Sequence, residues 1–229
     1  MADRKYITGA ERHDNPASGA MSTVYLMDCI EGMKRYPDKY FDLAVVDPPY
    51  GIGAENHAGN KENGWTQWAK KDWDNAIPTA EYWKELFRVS KNQIVWGANY
   101  MTEHLPPKMG WIVWDKGQRD FSLADGELAW TSFDKAMRIF TYARAKALQE
   151  GKIHPTQKPV ALYEWILQNY ASEGDLILDT HLGSGSSRIA AYNAGLDFTA
   201  CEIDKDYFDA QEKRFKIHTM QLQLFPTLF

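Results

Sequence analysis

The chain has few cysteines, no long hydrophobic run and no excess of positive charge, and each absence excludes a class of protein. Its two cysteines, Cys29 and Cys201, lie far apart beside apolar residues, which argues against a metal cluster or a disulfide framework. No apolar segment is long enough to span a bilayer, and residues 1–21 lack the apolar core of a secretion signal. The formal net charge of −5 argues against a protein that coats nucleic acid non-specifically.

Length and composition predict one globular domain over residues 1–229, because 44% of the chain is hydrophobic and 25% is charged. Within that domain we expect an irregular N-terminal arm (1–21), a long Gly/Asn/Lys-rich loop (51–78) and a C-terminal tail (219–229). Loops of this length inside a compact domain are usually functional or disordered, and tryptophans argue against pure disorder. This loop carries three tryptophans, Trp65, Trp68 and Trp73.

Alternating strand and helix patterns predict an α/β fold, an open sheet with crossover helices. Strands are expected at residues 22–27, 42–47, 93–97, 110–115, 127–130, 137–141, 175–179 and 197–202. Helices are expected at residues 29–35, 79–89, 159–170, 184–194 and 206–218. The strand that ends at Asp47 is a continuous apolar run, which is typical of a parallel strand buried on both faces.

The motif Asp47-Pro48-Pro49-Tyr50 follows this strand and is the most informative segment of the sequence. The carboxylate can accept hydrogen bonds from an amino group, and the tyrosine ring can stack on a flat heterocycle. The two prolines have no N–H and a fixed φ, so they form a stiff frame whose carbonyls are free acceptors. The motif therefore suits a site that holds the amine of a nucleobase, although Pro-Pro after a strand is also ordinary turn chemistry.

A glycine-rich turn between a later strand and helix forms a second motif, which begins at Asp179 and carries Gly183 and Gly185. Glycines after a strand let the backbone approach a ligand, and an acidic residue that ends the next strand, here Glu202, can accept bonds from ribose hydroxyls. The dinucleotide fingerprint requires a third glycine, but Arg188 stands at that position. A mononucleoside-like ligand therefore fits better than NAD.

The hexapeptide His154-Pro155-Thr156-Gln157-Lys158-Pro159 is a third candidate segment, leading into a predicted helix. It presents Lys158 near the sheet edge, where the ammonium could pair with a ligand carboxylate. A plain helix entry with Pro159 in the first turn is the alternative interpretation.

Together the three segments resemble those of the DNA amino-methyltransferases, in the order of the class called beta, with the target motif first and the cofactor motif last. The resemblance implies a Rossmann-like methyltransferase sheet with circularly permuted motif order, helices on both faces and S-adenosylmethionine as cofactor. It implies that the target amine is bound by Asp47, Pro48, Pro49 and Tyr50. The implied cofactor-binding residues are Asp28, His154, Lys158, Asp179, Leu182, Gly183, Ser184, Gly185, Ser186 and Glu202.

The sequence departs from the family pattern in two places. Thr180-His181 stands where the family often has Pro-Phe, which puts the aromatic packing against the cofactor in question. The segment before His154 is short, leaving little room for the usual recognition insertion. We therefore expect recognition to involve the 51–78 loop or a second subunit, which favours a homodimer.

The implied reaction is methyl transfer to the exocyclic N6 amine of an adenine flipped out of double-stranded DNA, in the cytoplasm of a bacterial or phage-infected cell. Methylation of cytosine N4 is the alternative. A non-catalytic DNA or clamp adaptor with the same fold is a second alternative, and a nicotinamide oxidoreductase is disfavoured by the missing glycine.

A set of basic residues and the C-terminal tail suggest binding partners. Basic residues that are candidates for DNA contact are Lys61, Lys70, Lys71, Arg138, Arg144, Lys146 and Lys152. The tail segment Gln221-Leu222-Gln223-Leu224-Phe225, expected beyond the last helix as an extended peptide, resembles the short motif by which bacterial DNA enzymes bind the sliding clamp. An apolar tail that covers its own core is the alternative.

Overall fold

A computed structural model of the protein describes residues 10–53, 71, 73–120, 124–149 and 151–224, without the side chains at 148 and 222–224. The strands are β1 (Ala10–Asp14), β2 (Met21–Leu26), β3 (Phe41–Val46), β4 (Ser90–Trp96), β5 (Trp111–Asp115), β6 (Gly126–Thr131), β7 (Arg138–Thr141), β8 (Leu176–Asp179) and β9 (Asp197–Glu202). The α-helices are α1 (Cys29–Met33), α2 (Ala80–Val89), α3 (Arg144–Leu148), α4 (Val160–Tyr170), α5 (Ser186–Asn193) and α6 (Lys205–Leu224). Short 3₁₀ helices follow β4 at Ala98–Tyr100 and Thr102–His104.

The strands form one nine-stranded sheet in the order β1-β2-β9-β8-β3-β4-β6-β5-β7. The five strands β2, β9, β8, β3 and β4 are parallel to one another, whereas β1 pairs antiparallel with β2 and β6 pairs antiparallel with β4 and β5. The predicted α/β sheet is thus confirmed, with strand positions within a few residues of those expected.

Helices cover both faces of the sheet, and β3 shows why its sequence is apolar throughout. Leu43 and Val45 belong to a core that includes residues of α4 and α5, whereas Ala44 and Val46 belong to a second core that includes residues of α2. Successive side chains of a strand point to opposite faces, so a strand covered on both sides needs apolar residues at every position.

Two elements were not expected from the sequence. Residues 1–21 were predicted to be an irregular arm, but residues 10–14 form the edge strand β1, which pairs with β2 in the register Ala10↔Tyr25. Its polar sequence has no apolar alternation because most of its side chains are exposed at the edge. Helix α3 has only five residues, which is too short for helical periodicity to identify it.

The prediction that the last helix ends near His218 is wrong, because α6 continues to Leu224. Residues 219–224 contain good helix formers and no glycine or proline, and the first breaker is Pro226. The first four residues of the clamp-like segment are therefore helical rather than extended, and Phe225 lies outside the described residues. None of the helices described, α6 included, combines the length and apolarity needed to cross a bilayer.

Candidate active site

The two main sequence motifs meet where the crossover connections change direction. From β3 the chain crosses through α2 to β4 on one side, and from β8 it crosses through α5 to β9 on the other, while β3 and β8 are neighbours. In open α/β sheets, ligands bind in the crevice outside the carboxyl ends of strands at such a switch point. Asp47 follows β3 and Asp179 ends β8, so both motifs lie at this crevice.

Both carboxylate oxygens of Asp47 accept a hydrogen bond from the protein. The Tyr50 hydroxyl donates to Oδ1 at 2.7 Å, and Lys158 Nζ donates to Oδ2 at 2.5 Å. Burial raises the pKa of Asp47, and the ammonium of Lys158 opposes this effect. An ionised carboxylate has about four lone-pair sites, so each oxygen keeps one for a ligand N–H.

Glu127 completes this charged cluster, and sequence reasoning missed it. Its Oε2 lies 3.1 Å from Lys158 Nζ, and its Oε1 lies 2.7 Å from Lys116 Nζ. Burial by itself would raise the pKa of Glu127, but the two lysines outweigh burial and hold it at about 2. Because β6 is antiparallel to β4, the start of β6 lies at the edge where the parallel strands end. Only the strand order, not a motif, could have indicated this residue.

The ring of Tyr50 lies against Gly97, which follows β4 in the left-handed region with φ of +66°. A Cβ at position 97 would come within 2.0 Å of the ring. The other neighbour is Tyr100, whose ring stacks on Tyr50 with centroids 5.3 Å apart and an interplanar angle of 18°. Asp74 fixes the backbone, because its Oδ1 accepts the N–H of Tyr50 at 2.6 Å and that of Gly51 at 2.9 Å.

Two cavities adjoin at the Asp47 motif. The larger, of about 490 Å³, is lined by all four residues of that motif and by Gly97, Tyr100, Trp114, Lys116 and Glu127, among others. The smaller, of about 330 Å³, is lined by the glycine-rich turn and the end of β9. Asp47, Pro49 and Lys158 contribute to the walls of both cavities. A group held in one cavity therefore faces a group held in the other across Asp47 and Pro49.

The smaller cavity contains eight of the ten predicted cofactor-binding residues in its wall: Asp28, His154, Lys158, Leu182, Gly183, Ser184, Ser186 and Glu202. Asp28 also caps α1, because its Oδ1 accepts the N–H groups of Ile30 and Glu31 at 2.8 and 3.2 Å. Glu202 accepts the N–H of Gly183 through Oε2 and that of Asp204 through Oε1, each at 2.8 Å. Burial raises the pKa of Glu202, and these two backbone donors partly offset the effect.

Asp179 and Gly185 are not in the wall but lie directly behind it, and their contact with a cofactor stays a prediction. Asp179 accepts the Ser187 hydroxyl at 2.5 Å and the N–H of His181 at 3.0 Å, which fixes the turn from behind. Burial raises its pKa to about 7. Gly185 has φ of +74°, and a Cβ there would contact Gln211 at 3.2 Å. Both residues shape the turn that lines the cavity.

His181 places a flat ring at the position where the family often has phenylalanine. It lines the smaller cavity, and its ring packs against Tyr82 with centroids 5.5 Å apart. The Thr180 hydroxyl lies 2.9 Å from His181 Nδ1 and 2.8 Å from the Tyr82 hydroxyl, which fixes the orientation of the imidazole. Burial lowers the pKa of His181 to about 4, so the ring is neutral at pH 7.

Of the tryptophans and lysines predicted in the 51–78 loop, one lines this site, one contacts α6 and the others lie outside the described residues. Trp73 lines both cavities and packs on His154, with centroids 5.3 Å apart, and burial lowers the pKa of His154 to about 3. Lys71 is held by Asp204 at 2.5 Å and Asp206 at 2.8 Å, so the structure ties it to α6 instead of presenting it to DNA. The other loop candidates, Lys61, Trp65, Trp68 and Lys70, lie outside the described residues.

Arg188, which replaces the third glycine of a dinucleotide fingerprint, is fully buried away from both cavities. Its guanidinium contacts Ser22 Oγ at 2.8 Å, Gln211 Oε1 at 2.9 Å and Glu212 Oε2 at 2.5 Å. This side chain fills the space between α5 and α6, where a glycine would allow closer packing.

The family model for DNA methylase (N6_N4_Mtase) matches residues 96–213, slightly more than half of the chain. The chain belongs to the DNA methylase family. A curated relative, the type II methyltransferase M.HinfI of Haemophilus influenzae, is 25% identical over 249 aligned positions, covering 86% of this chain and 68% of the relative. The predicted family resemblance is therefore confirmed.

Solved structures of DNA methylases share the fold. The M1.HpyAVI–SAM complex matches with a TM-score of 0.56 and 21% identity, covering 83% of this chain and 98% of that one. The cytosine-N4-specific PvuII DNA methyltransferase matches with a TM-score of 0.56 and 13% identity, covering 94% and 96% of the two chains. At these identities the likeness establishes the architecture of the sheet.

Proposed function

We propose that this DNA methylase transfers a methyl group from S-adenosylmethionine to the N6 amine of an adenine flipped out of double-stranded DNA. The observation that carries the proposal is the junction of the two cavities at Asp47 and Pro49. A nucleobase in the larger cavity would present its amine to a methyl donor in the smaller one. Such alignment of two reactants accounts for a large part of enzymatic rate enhancement.

The smaller cavity fits S-adenosylmethionine by its chemistry. Each oxygen of Glu202 retains a lone pair beyond its backbone donor, which suits two ribose hydroxyls. The wall includes the carboxyl groups of Asp28 and Glu202, which suit a cationic sulfonium better than the phosphates of a dinucleotide. His181 offers a neutral ring face at one side. When bound, the cofactor supplies an electrophilic methyl group.

The residues of the larger cavity would activate the target amine. The lone pair of an exocyclic amine is delocalised into the base, which makes the nitrogen a poor nucleophile. Hydrogen bonds from its two N–H groups to the Asp47 carboxylate and the Pro48 carbonyl would favour a tetrahedral nitrogen and stabilise the positive charge that develops. Flipping the base costs a few kcal/mol, and stacking on an aromatic ring offsets about 1–3 kcal/mol of this.

Tyr50 would provide that ring after Tyr100 moves aside. Tyr100 covers one face of Tyr50 but is 46% exposed and lies in a short 3₁₀ turn. An aromatic pair contributes about 0.5–1.5 kcal/mol beyond its buried area, which is comparable to the stacking of one base. A flipped base can therefore replace Tyr100 at little net cost.

The choice of adenine rests on the aspartate of the target motif, which resembles that of adenine enzymes. Methylation of cytosine N4 is the alternative outcome of the same test. The purified protein is incubated with S-adenosylmethionine and unmethylated genomic DNA, and the digested nucleosides are analysed by mass spectrometry. We expect N6-methyldeoxyadenosine. N4-methyldeoxycytidine alone would replace adenine by cytosine, and cofactor binding without any methylated base would indicate the non-catalytic adaptor.

Two partner predictions complete the proposal. A homodimer would supply additional recognition surface to a chain with a short recognition segment. Measurement of the molar mass in solution by light scattering tests this prediction. Clamp binding by residues 221–225 would require the end of α6 to unwind, because residues up to Leu224 are helical. A peptide of residues 219–229 should then bind the sliding clamp more tightly than the whole chain does, and a peptide that fails to bind contradicts the prediction.

A further inference from the structure

Lys158 contacts groups of the target site, although the family resemblance assigns its segment to the cofactor. Its Nζ lies 2.5 Å from Asp47 Oδ2, 3.1 Å from Glu127 Oε2 and 3.2 Å from the Tyr50 hydroxyl. An ammonium group has three N–H donors and no acceptor, so three partners use its full capacity. The side chain of Lys158 is only 2% exposed, which makes these partners necessary for its charge.

We propose that Lys158 and Glu127 are positioning residues that fix the orientation and the charge of the Asp47 carboxylate for its bond to the target amine. This inference deepens the proposed function and depends on the role given there to Asp47. It removes Lys158 from the cofactor-binding set implied by the family resemblance. Neither residue needs to touch a substrate for this role.

Orientation follows from the two donors on Asp47. A carboxylate on a short side chain rotates about its last torsion, and a single partner leaves that rotation partly free. The Tyr50 hydroxyl holds Oδ1 and Lys158 holds Oδ2, so the plane of the carboxylate is fixed by contacts at both ends. The free lone pairs then point in set directions before any base arrives, which is the condition for effective electrostatic stabilisation.

Charge follows from the placement of one ammonium between two carboxylates. Lys158 alone would neutralise Asp47 and weaken its attraction for a nitrogen that becomes positive. Glu127 offers Lys158 a second negative partner, so the ammonium is shared between two carboxylates and Asp47 is only partly neutralised. Lys116 holds the other oxygen of Glu127 at 2.7 Å, which keeps Glu127 ionised and directed at Lys158.

The two residues act on Asp47 with opposite sign. The positive charge of Lys158 lowers the pKa of Asp47, whereas the negative charge of Glu127 raises it. Removal of Lys158 should therefore move the titration of Asp47 to higher pH, and removal of the charge of Glu127 should move it to lower pH. The ionisable groups that act on or around Asp47 are Lys158, Glu127, Tyr50, Tyr82, Tyr163, Asp179 and, beyond them, Lys116 and His154.

The decisive experiment titrates the Asp47 carboxyl by ¹³C NMR in the protein without cofactor or DNA. We compare wild type, Lys158→Met, Glu127→Gln and the control Lys108→Met, which breaks an exposed ion pair with Asp134. The midpoint should rise by about one pH unit or more in Lys158→Met, fall in Glu127→Gln and stay unchanged in the control. Midpoints that stay unchanged, or that move in the same direction in both variants, overturn the proposal.

Kinetics and cofactor binding give a second readout. Glu127→Gln should lower kcat by about tenfold or more while the KM for DNA and the Kd for S-adenosylmethionine stay within about threefold. If Lys158→Met instead raises that Kd by more than about tenfold with an unchanged Asp47 midpoint, Lys158 is a cofactor ligand and the proposal is wrong. Should Lys158→Met fail to fold, the isosteric Glu127→Gln decides alone. If the wild-type protein does not methylate DNA, the proposed function is refuted. The NMR titration still tests the positioning of Asp47 in that case, because it does not depend on activity.

Discussion

The Tyr50 hydroxyl donates to Asp47 Oδ1 over 2.7 Å, so one residue of the target motif orients another. Tyr50 therefore has two separable functions, a ring that stacks and a hydroxyl that holds the carboxylate. Asp74 in turn holds the backbone of Tyr50, which ties the motif to the later part of the 51–78 segment. Substitutions at Tyr50 can distinguish the two functions.

Tyr50→Phe should keep the ring and lose the hydroxyl. A hydrogen bond to a charged group contributes about 1.5–3 kcal/mol, and the variant should lower kcat by roughly ten- to a hundredfold with little change in the KM for DNA. Tyr50→Ala should in addition raise that KM, because stacking of the base is lost. Steady-state kinetics on a methylatable duplex measure both. Equal effects of the two substitutions on kcat and KM would contradict the division.

Asp47→Asn should remove the charge and keep the size of the side chain. Loss of one electrostatic contact to a developing charge typically costs about 10²–10³ in kcat, and we expect a loss of that order. Binding of S-adenosylmethionine, measured by calorimetry, should stay within roughly threefold of wild type because Glu202 and the glycine-rich turn are intact. A variant that methylates at nearly the wild-type rate would exclude the proposed role of Asp47.

Asp179→Ala should weaken binding of S-adenosylmethionine although Asp179 is not in the cavity wall. Its carboxylate holds the Ser187 hydroxyl and the N–H of His181, and the turn loses both anchors without it. The expected increase in Kd is about tenfold, since each of the two lost hydrogen bonds contributes about 0.5–1.5 kcal/mol. The control is Ser187→Ala, which removes one anchor and should have the smaller effect.

Asp179 should also make the stability of the protein depend on pH. Its pKa is about 7 in the folded chain against an ordinary value of 3.8, so the folded state binds more protons than the unfolded state between these values. The contribution of this group to the free energy of unfolding therefore falls as the pH rises from about 4 to about 7. Denaturant titrations over this pH range should show that the free energy of unfolding depends less on pH in Asp179→Asn than in wild type. An identical dependence in both proteins would contradict the raised pKa.

His181 should act as a neutral ring at physiological pH, because its pKa is about 4. His181→Phe keeps a flat ring of similar size and should bind S-adenosylmethionine within about threefold of wild type. His181→Ala removes the ring and should weaken binding by about tenfold, in line with the 0.5–1.5 kcal/mol of an aromatic contact and the apolar area lost. Equal affinities for all three proteins would exclude His181 from the binding surface.

The sequence predicted those parts of the site that depend on local patterns. Asp47 directly follows β3, Glu202 ends β9, and Gly183 lies in a turn that needs a left-handed residue, so the sequence itself marks their positions. Glu127 carries no such mark. It joins the site only because β6 pairs antiparallel with β4, a pairing between residues far apart in sequence.

The same limit explains why the sequence predicted neither the partners of Lys158 nor the end of α6. A lysine before a helix shows its charge in the sequence, but its partners Asp47 and Glu127 come from two other strands. At the end of α6, a resemblance to an extended peptide competed with helix propensity, and propensity determined the conformation up to Leu224. Local chemistry predicted the ligand class, whereas long-range pairing determined the charge arrangement.

Gly97 gives the site a simple vulnerability. The smallest addition to its backbone, a single methyl, would occupy the volume of the Tyr50 ring and would strain a left-handed residue. The glycine-rich turn lies on another strand and would be undisturbed. Gly97→Ala should thus give a protein that still binds the methyl donor but no longer accommodates the target base.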